Sequence, residues 1–180
     1  AIFGKVVQGT NNKVQFDDGT STGYVAGGYL DNTASTAEMT GNKVVFTNGT
    51  AAEIAGADSK GEGKLSGNTV TFGGAGSVAE ILRGALAENE AAVEGNGVTM
   101  TAGTTESVYG GATYMTDPSN NLVGGNGRAE KNTVAITGGT IGTTMQAANV
   151  YGGKTTEGPG SGTTDNVVNP GAEDGTYAAS

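Results

Sequence analysis

The sequence predicts an all-β fold, a parallel β-solenoid (β-helix) of about five coils of 26–36 residues. The first reason is a short strand pattern that recurs along the chain, and the second is a glycine-rich pattern that follows each copy. Third, 34 of the 180 residues are glycine, which is far too many for a helical domain. The few large apolar residues would suggest disorder, but the repeat concentrates them at fixed positions.

The first half of each unit alternates polar and apolar residues, as a half-buried strand does. It begins at an Asn and has a Val two places later and a large apolar residue two places after that. The copies begin at Asn12, Asn42, Asn68, Asn96 and Asn132, with a degenerate sixth copy at Asn166. Coils stacked about 4.8 Å apart would form two apolar core columns. One is Val14, Val44, Val70, Val98 and Val134, and the other is Phe16, Phe46, Phe72, Met100 and Ile136.

The repeated Asn residues predict a turn in each coil. Asparagine tolerates left-handed backbone angles, and stacked amides can hydrogen-bond from one coil to the next. Because turns favour asparagine anyway, these residues could equally be turn formers alone. A glycine three residues past the pattern predicts a second corner. It is found at Gly19, Gly49, Gly103 and Gly139, with Gly76 one place later in the third unit.

The second half of each unit carries an aliphatic residue just before glycine-rich backbone. These aliphatic residues are Val25, Ile54, Ile81, Val108 and Val150. The opening residues Ile2-Phe3-Gly4-Lys5 resemble a second half, so we expect the sequence to begin inside a unit.

One segment, from Ser77 to Val93, has local helical spacing. Since Gly84 would cost a helix about 1 kcal/mol, we predict strand for Ile81 to Arg83 and leave open a short helix from Leu86 to Val93. Residues 113–128 and 154–164 are predicted to be surface loops. A meander in which each unit is an antiparallel hairpin remains an alternative fold, because both halves are short.

Residues 1–180 are expected to form a single repeat domain, as a fragment or subunit of a longer array. The chain has no His and no Cys, so imidazole bases, Cys nucleophiles and zinc sites of the usual kind are excluded. We therefore expect no enzyme, no catalytic residues and no cofactor. A net charge of −9 argues against nucleic acid as a partner, and no apolar run is long enough to predict membrane insertion of this segment.

Three groups of side chains are candidate site residues. Asp17 and Asp18 precede a glycine and could bind calcium, but such a pair is more often a solvated turn. Glu53 and Glu80 each precede the aliphatic residue of a second half, so adjacent coils would bring them together as an acid pair. We expect this to be a surface column without a neighbouring Arg or Lys.

Tyr109 and Tyr151 repeat in register beside glycine pairs. They could stack on sugar rings, or they could cover the glycine backbone of neighbouring coils. The first possibility makes them candidate binding residues.

Three stretches carry a family resemblance: Gly41-Asn42-Lys43-Val44-Val45-Phe46, Asn132-Thr133-Val134-Ala135-Ile136-Thr137-Gly138-Gly139-Thr140, and Val150-Tyr151-Gly152-Gly153. They resemble the GNTVTI, GGT and VYGG repeats of bacterial autotransporter-type adhesins, and the resemblance extends from Asn12 to Gly153. It implies a non-enzymatic, extracellular structural or adhesive module on a bacterial surface. The implied partners are a host or bacterial surface protein or glycan, or copies of the chain itself. A self-assembling extracellular fibre subunit and a polysaccharide-active β-helix enzyme are the alternatives.

Overall fold

The computed structural model is a parallel β-solenoid, which confirms the predicted fold class. Strands of successive coils stack into three parallel sheets, so the antiparallel meander is wrong. The structure describes residues 2–5, 9–116, 122–123, 126–142, 149–156, 161–170 and 175–177. None of these residues is helical, and none forms a helix of the length and apolarity needed to cross a membrane.

Each coil passes in turn through a short, a middle and a long sheet. The short sheet contains β2 (Gly9–Thr10), β5 (Met39–Thr40), β8 (Leu65–Ser66), β11 (Val93–Glu94), β16 (Arg128–Glu130) and β20 (Gly162–Thr164). The middle sheet contains β3 (Lys13–Phe16), β6 (Lys43–Phe46), β9 (Thr69–Phe72), β12 (Gly97–Met100), β17 (Thr133–Ile136) and β21 (Val167–Pro170). The long sheet contains β1 (Ile2–Lys5), β4 (Thr20–Leu30), β7 (Thr50–Ser59), β10 (Val78–Ala87), β13 (Thr104–Thr113), β18 (Gly139–Ile141), β19 (Asn149–Thr155) and β22 (Gly175–Tyr177).

The middle sheet builds the larger core. Its strands pair without a register shift, so the five valines and the Phe, Met and Ile residues of the repeat form two in-register columns. Phe16 and Phe46 stack with centroids 4.5 Å apart, and Phe46 and Phe72 follow at 5.5 Å. These columns pack against Ile54 and Leu82 of the long sheet. A second, smaller core lies between the short sheet and alanines of the long sheet.

A ladder of asparagines joins all six middle strands. In each described step, the Oδ1 atom of one Asn accepts both the backbone N–H and the side-chain amide of the Asn one coil earlier. Asn42, Asn68, Asn96 and Asn132 are fully buried. The predicted amide ladder is therefore present, and Asn166 of the degenerate copy takes part in it.

The backbone at this turn differs from the prediction. The left-handed residue is the one before each ladder Asn, because the Asn itself begins the approach to the strand. These residues are Asn11, Gly41, Gly67, Gly95, Lys131 and Asp165, with φ between 54° and 68°. At the second corner, Gly19, Gly49, Gly103 and Gly139 do have positive φ. Gly76 does not, because Gly74 takes the left-handed angle and Ser77 occupies the equivalent place before β10.

The long sheet also differs in register and extent. Leu82, and not Ile81, pairs with Ile54 and Val108, so the predicted alignment of the third unit is wrong by one residue. β10 continues to Ala87, which overturns the helix considered for Leu86 to Val93. β1 pairs with β4 through Ile2 and Val25, as the resemblance to a second half predicted.

The predicted loops are partly strand. In 113–128, β14 (Met115–Thr116) and β15 (Leu122–Val123) form an antiparallel pair. In 154–164, Gly162–Thr164 joins the short sheet. Residues 117–121, 124–125 and 157–160 of these two segments lie outside the described residues.

Candidate ligand-binding site

The outward face of the long sheet carries three columns of side chains that alternate with core residues. The first is Tyr24, Glu53, Ile81, Ser107 and Asn149. The second is Ala26, Ala55, Arg83, Tyr109 and Tyr151. The third is Tyr29, Asp58, Leu86, Ala112 and Lys154.

A pocket lies on this face because the side chains of the three columns differ in size. The second column starts with two alanines, so the larger side chains on either side can approach each other over them. The Tyr24 and Tyr29 rings meet edge to face, with centroids 6.2 Å apart. In the next coil, Arg83 takes the alanine position and closes one end.

The resulting pocket has a volume of about 300 Å³. Its walls combine three tyrosines, three carboxylates and one cation, and they come from four consecutive coils. The lining residues are Tyr24, Tyr29, Glu53, Asp58, Arg83, Leu86, Glu88 and Tyr114. This volume is at the lower end of the range for small-molecule sites, so the pocket suits a ligand of about one ring.

Glu53 and Arg83 form an ion pair across adjacent coils. Their side chains are only 22% and 13% exposed, so the pair is held in place by the surrounding walls. The Nε atom of Arg83 is buried and has no hydrogen-bond partner within the part of the chain that the structure describes. The guanidinium also lies 5.6 Å from the centroid of the Tyr109 ring, which links the pocket to the next coil.

Asp58 is a deeply buried carboxyl group of the pocket. The residue is 4% exposed, and burial raises its pKa from 3.8 to about 7. The Tyr24 hydroxyl opposes this by hydrogen bonding, whereas the charge of Glu88 adds to it. Among the described residues, the buried Oδ1 atom of Asp58 has no hydrogen-bond partner. Lys60, a cation close enough to lower this pKa, is paired with Asp31 at 2.7 Å.

The tyrosines of the pocket are uncharged. Burial, and then the nearby Asp58, raise the pKa of Tyr24 well above its ordinary value. Burial also raises the pKa of Tyr29 and of Tyr114. All three phenols therefore stay protonated at neutral pH, and their rings supply apolar walls with a polar tip.

Tyr109 and Tyr151 lie beside the pocket on the same face. Their rings stack on each other, with centroids 5.6 Å apart and planes 13° apart. Lys154 Nζ lies 5.5 Å from the first ring centroid and 5.1 Å from the second. The ring faces thus contact each other and two cations, while Tyr151 is 39% exposed. We define the Tyr109 and Tyr151 pair as the tyrosine ladder.

The predicted acid pair is not formed. Glu53 is in register with Ile81, so Glu80 lies one place away and does not line the pocket. The expectation that the column has no neighbouring Arg or Lys is also wrong, because Glu53 pairs with Arg83. Asp58 and Glu88, which the sequence did not single out, are the other carboxylates at the pocket.

Asp17 and Asp18 form a hydrogen-bonded turn on another part of the solenoid. Asp17 accepts from Gln15 at 2.5 Å and Thr47 at 3.0 Å, and these bonds lower its pKa. Asp18 accepts from the Gly19 N–H at 2.8 Å. Among the described residues, no group of three or more Asp, Glu, His or Cys side chains is arranged to hold a metal ion.

Comparisons of the chain with protein-family models, with curated proteins and with solved structures found no match.

Proposed function

We propose that the protein is a non-enzymatic, extracellular structural and adhesive module of a bacterial surface, and that it binds a glycan through the outward face of its long sheet. The observation that carries this proposal is the combination on one face of a partly exposed tyrosine ladder and a pocket with buried polar atoms that lack partners among the described residues. The resemblance of the repeats to autotransporter-type adhesins supports the surface location.

The solenoid suits an adhesive role because it is rigid along its axis. Parallel strands are paired from coil to coil, and the buried asparagine ladder ties each coil to the next. A pulling force on a ligand bound to the long sheet would therefore be distributed over a continuous network of hydrogen bonds. Tyrosine suits the contact, since it gives a large contact area and a polar hydroxyl at low entropic cost.

Binding to immobilised polysaccharides tests this function. The panel contains neutral, acidic and amino-sugar polymers, and retention of the wild type is compared with that of a Tyr109→Ala/Tyr151→Ala variant. We expect the wild type to bind at least one polymer and the variant to bind it about tenfold more weakly.

The matched control is Thr71→Ala/Thr99→Ala, which changes two outward, in-register positions on the middle sheet. It should bind like the wild type. If no polymer is retained, or if both double variants lose binding equally, the proposed function is wrong. An export signal upstream in the intact gene product would support the extracellular location.

A self-assembling fibre subunit is the second candidate. On β21, Val167 and Val168 are 42% and 37% exposed, although Val168 continues the buried valine column of the middle sheet. An apolar column that reaches an edge strand can pair with another copy. Sedimentation velocity across a range of concentrations tests this, with Val168→Asp compared with Val78→Asp, which is an exposed position in the middle of the stack. Assembly that only Val168→Asp abolishes would favour the fibre, and a monomer at high concentration would contradict it.

The enzyme alternative is favoured by one observation, the raised pKa of Asp58 beside Glu53 and Glu88. A carboxyl group that is protonated near neutral pH can act as a general acid on a glycosidic bond. Release of reducing ends from the polymer panel, abolished by Asp58→Asn, would overturn the non-enzymatic proposal.

A further inference from the structure

Two buried polar atoms of the Asp58 and Arg83 side chains, which both line the pocket, have no hydrogen-bond partner among the described residues. One is Oδ1 of Asp58, on a residue that is 4% exposed, and the other is Nε of Arg83. Buried polar groups in folded proteins nearly always have a partner. When both such atoms belong to side chains that line one pocket, a ligand is the natural partner.

These two atoms require opposite chemistry in the ligand. The carboxylate of Asp58 needs a hydrogen-bond donor, whereas Arg83 can only donate and therefore needs an acceptor. A simple cation satisfies the first group and leaves the second unpaired, and an anion does the reverse. A sugar ring carries donors and acceptors a few ångströms apart and can satisfy both.

The charge of the pocket narrows the choice of ligand further. Glu53 is neutralised by Arg83, and Lys60 is paired with Asp31, so Asp58 and Glu88 are left as an acidic pair. The faces of the Tyr24, Tyr29 and Tyr114 rings also attract positive charge. A cation placed between Asp58 and Glu88 would relieve the repulsion between the two carboxylates.

We propose that the pocket binds an amino sugar with a free, protonated amine. The ammonium group donates to Asp58 and faces Glu88, a ring hydroxyl accepts from Arg83 Nε, and the sugar ring lies against the tyrosine walls. This proposal rests on the glycan-binding function above and names the sugar class that the pocket selects.

Three small probes of the same ring size test the selectivity: the methyl glycosides of glucosamine, N-acetylglucosamine and glucose. Calorimetric titration into the full chain at neutral pH should show that the glucosamine probe binds at least about tenfold more tightly than the two neutral probes, since only it forms a charge-assisted hydrogen bond. Asp58→Asn keeps the side-chain shape and should remove this preference. The matched control is Glu80→Gln, an exposed carboxylate on β10 outside the pocket, which should keep it.

A second measurement does not depend on a variant that folds. The glucosamine probe should lower the midpoint at which the Asp58 carboxyl titrates in a carbon-13 NMR experiment, and the glucose probe should not. Equal binding of all three probes would overturn the proposal, as would a loss of preference in Glu80→Gln equal to that in Asp58→Asn.

Failure of the amino-sugar pocket can be distinguished from failure of the proposed adhesive function. If the wild type binds no glucosamine probe but still binds polymers through the tyrosine ladder, the amino-sugar pocket is wrong and the adhesive function stands. If the probe binds at Asp58 but no polymer depends on Tyr109 and Tyr151, the pocket stands and the adhesive use of the ladder is wrong.

Discussion

Replacing an internal rung of the asparagine ladder should destabilise the solenoid far more than replacing its first rung. In Asn96→Ala, the side chain would lose two bonds that Oδ1 accepts from Asn68, both 2.9 Å. It would also lose two bonds that Nδ2 donates, to Leu65 O at 3.1 Å and to Asn132 Oδ1 at 3.0 Å. At about 1 kcal/mol for each buried bond, the expected loss in the free energy of unfolding is about 4 kcal/mol.

Asn12→Ala is the matched control. Its side chain donates one bond, from Nδ2 to Asn42 Oδ1 at 2.7 Å, and that oxygen keeps the Asn12 backbone N–H as a donor. The expected loss is about 1 kcal/mol.

Urea denaturation followed by far-UV circular dichroism measures both variants, with the denaturant slope as a check that the unfolded states are comparable. If Asn96→Ala costs no more than Asn12→Ala, the ladder does not stabilise the stack, and the repeated asparagines are turn formers only.

Three other predictions concern charge and backbone. Burial raises the folded pKa of Asp58 to about 7, so its ionisation destabilises the fold as pH rises from about 4 to about 8. Asp58→Asn should therefore gain up to about 4 kcal/mol over the wild type across this window. A pH-independent difference in urea titrations would contradict the raised pKa of this carboxyl group. Lys131 and Lys64 lower the pKa of Glu94 to about 2, so Glu94→Gln should reduce the melting temperature above pH 4.5 and have no effect near pH 2, and high salt should shrink the difference. Gly84→Ala would place a Cβ atom 2.5 Å from the Gly97 backbone N and should lower the free energy of unfolding by about 3 kcal/mol. Gly95→Ala, where φ is 63° and the added Cβ atom meets open space, should lower it by about 1 kcal/mol. Equal losses would show that close approach is not what requires glycine at residue 84.

The fold was predictable because the repeat determines which residues of successive coils are neighbours. A valine and a large apolar residue at a fixed distance from each Asn can share a core only if the copies stack in register, and they do. The backbone conformation at the turn was harder to predict from the sequence. The residue before each ladder Asn is glycine in only three of six coils, and Asn11, Lys131 and Asp165 take the same left-handed angle.

The pocket was not predictable from the pattern, since it depends on the register of the long sheet. An irregularity between Ser21 and Tyr24, and the one-residue difference at Leu82, decide which side chains are neighbours. Only with that register does Arg83 reach Glu53. Asp58 had no sequence signal of its own, because the residues that line the pocket around it come from other coils. The recurrence of Tyr109 and Tyr151 was a usable signal, but it did not show that their rings stack on each other.

We propose that the tyrosine ladder on the outward face of the long sheet binds glycans. The most direct measurement is the affinity of the wild type for its best polysaccharide, compared between Tyr109→Ala/Tyr151→Ala and Thr71→Ala/Thr99→Ala. We predict that the tyrosine variant binds about tenfold more weakly and that the threonine variant binds like the wild type. Equal affinity of the two variants for that polymer would contradict glycan binding through the tyrosine ladder.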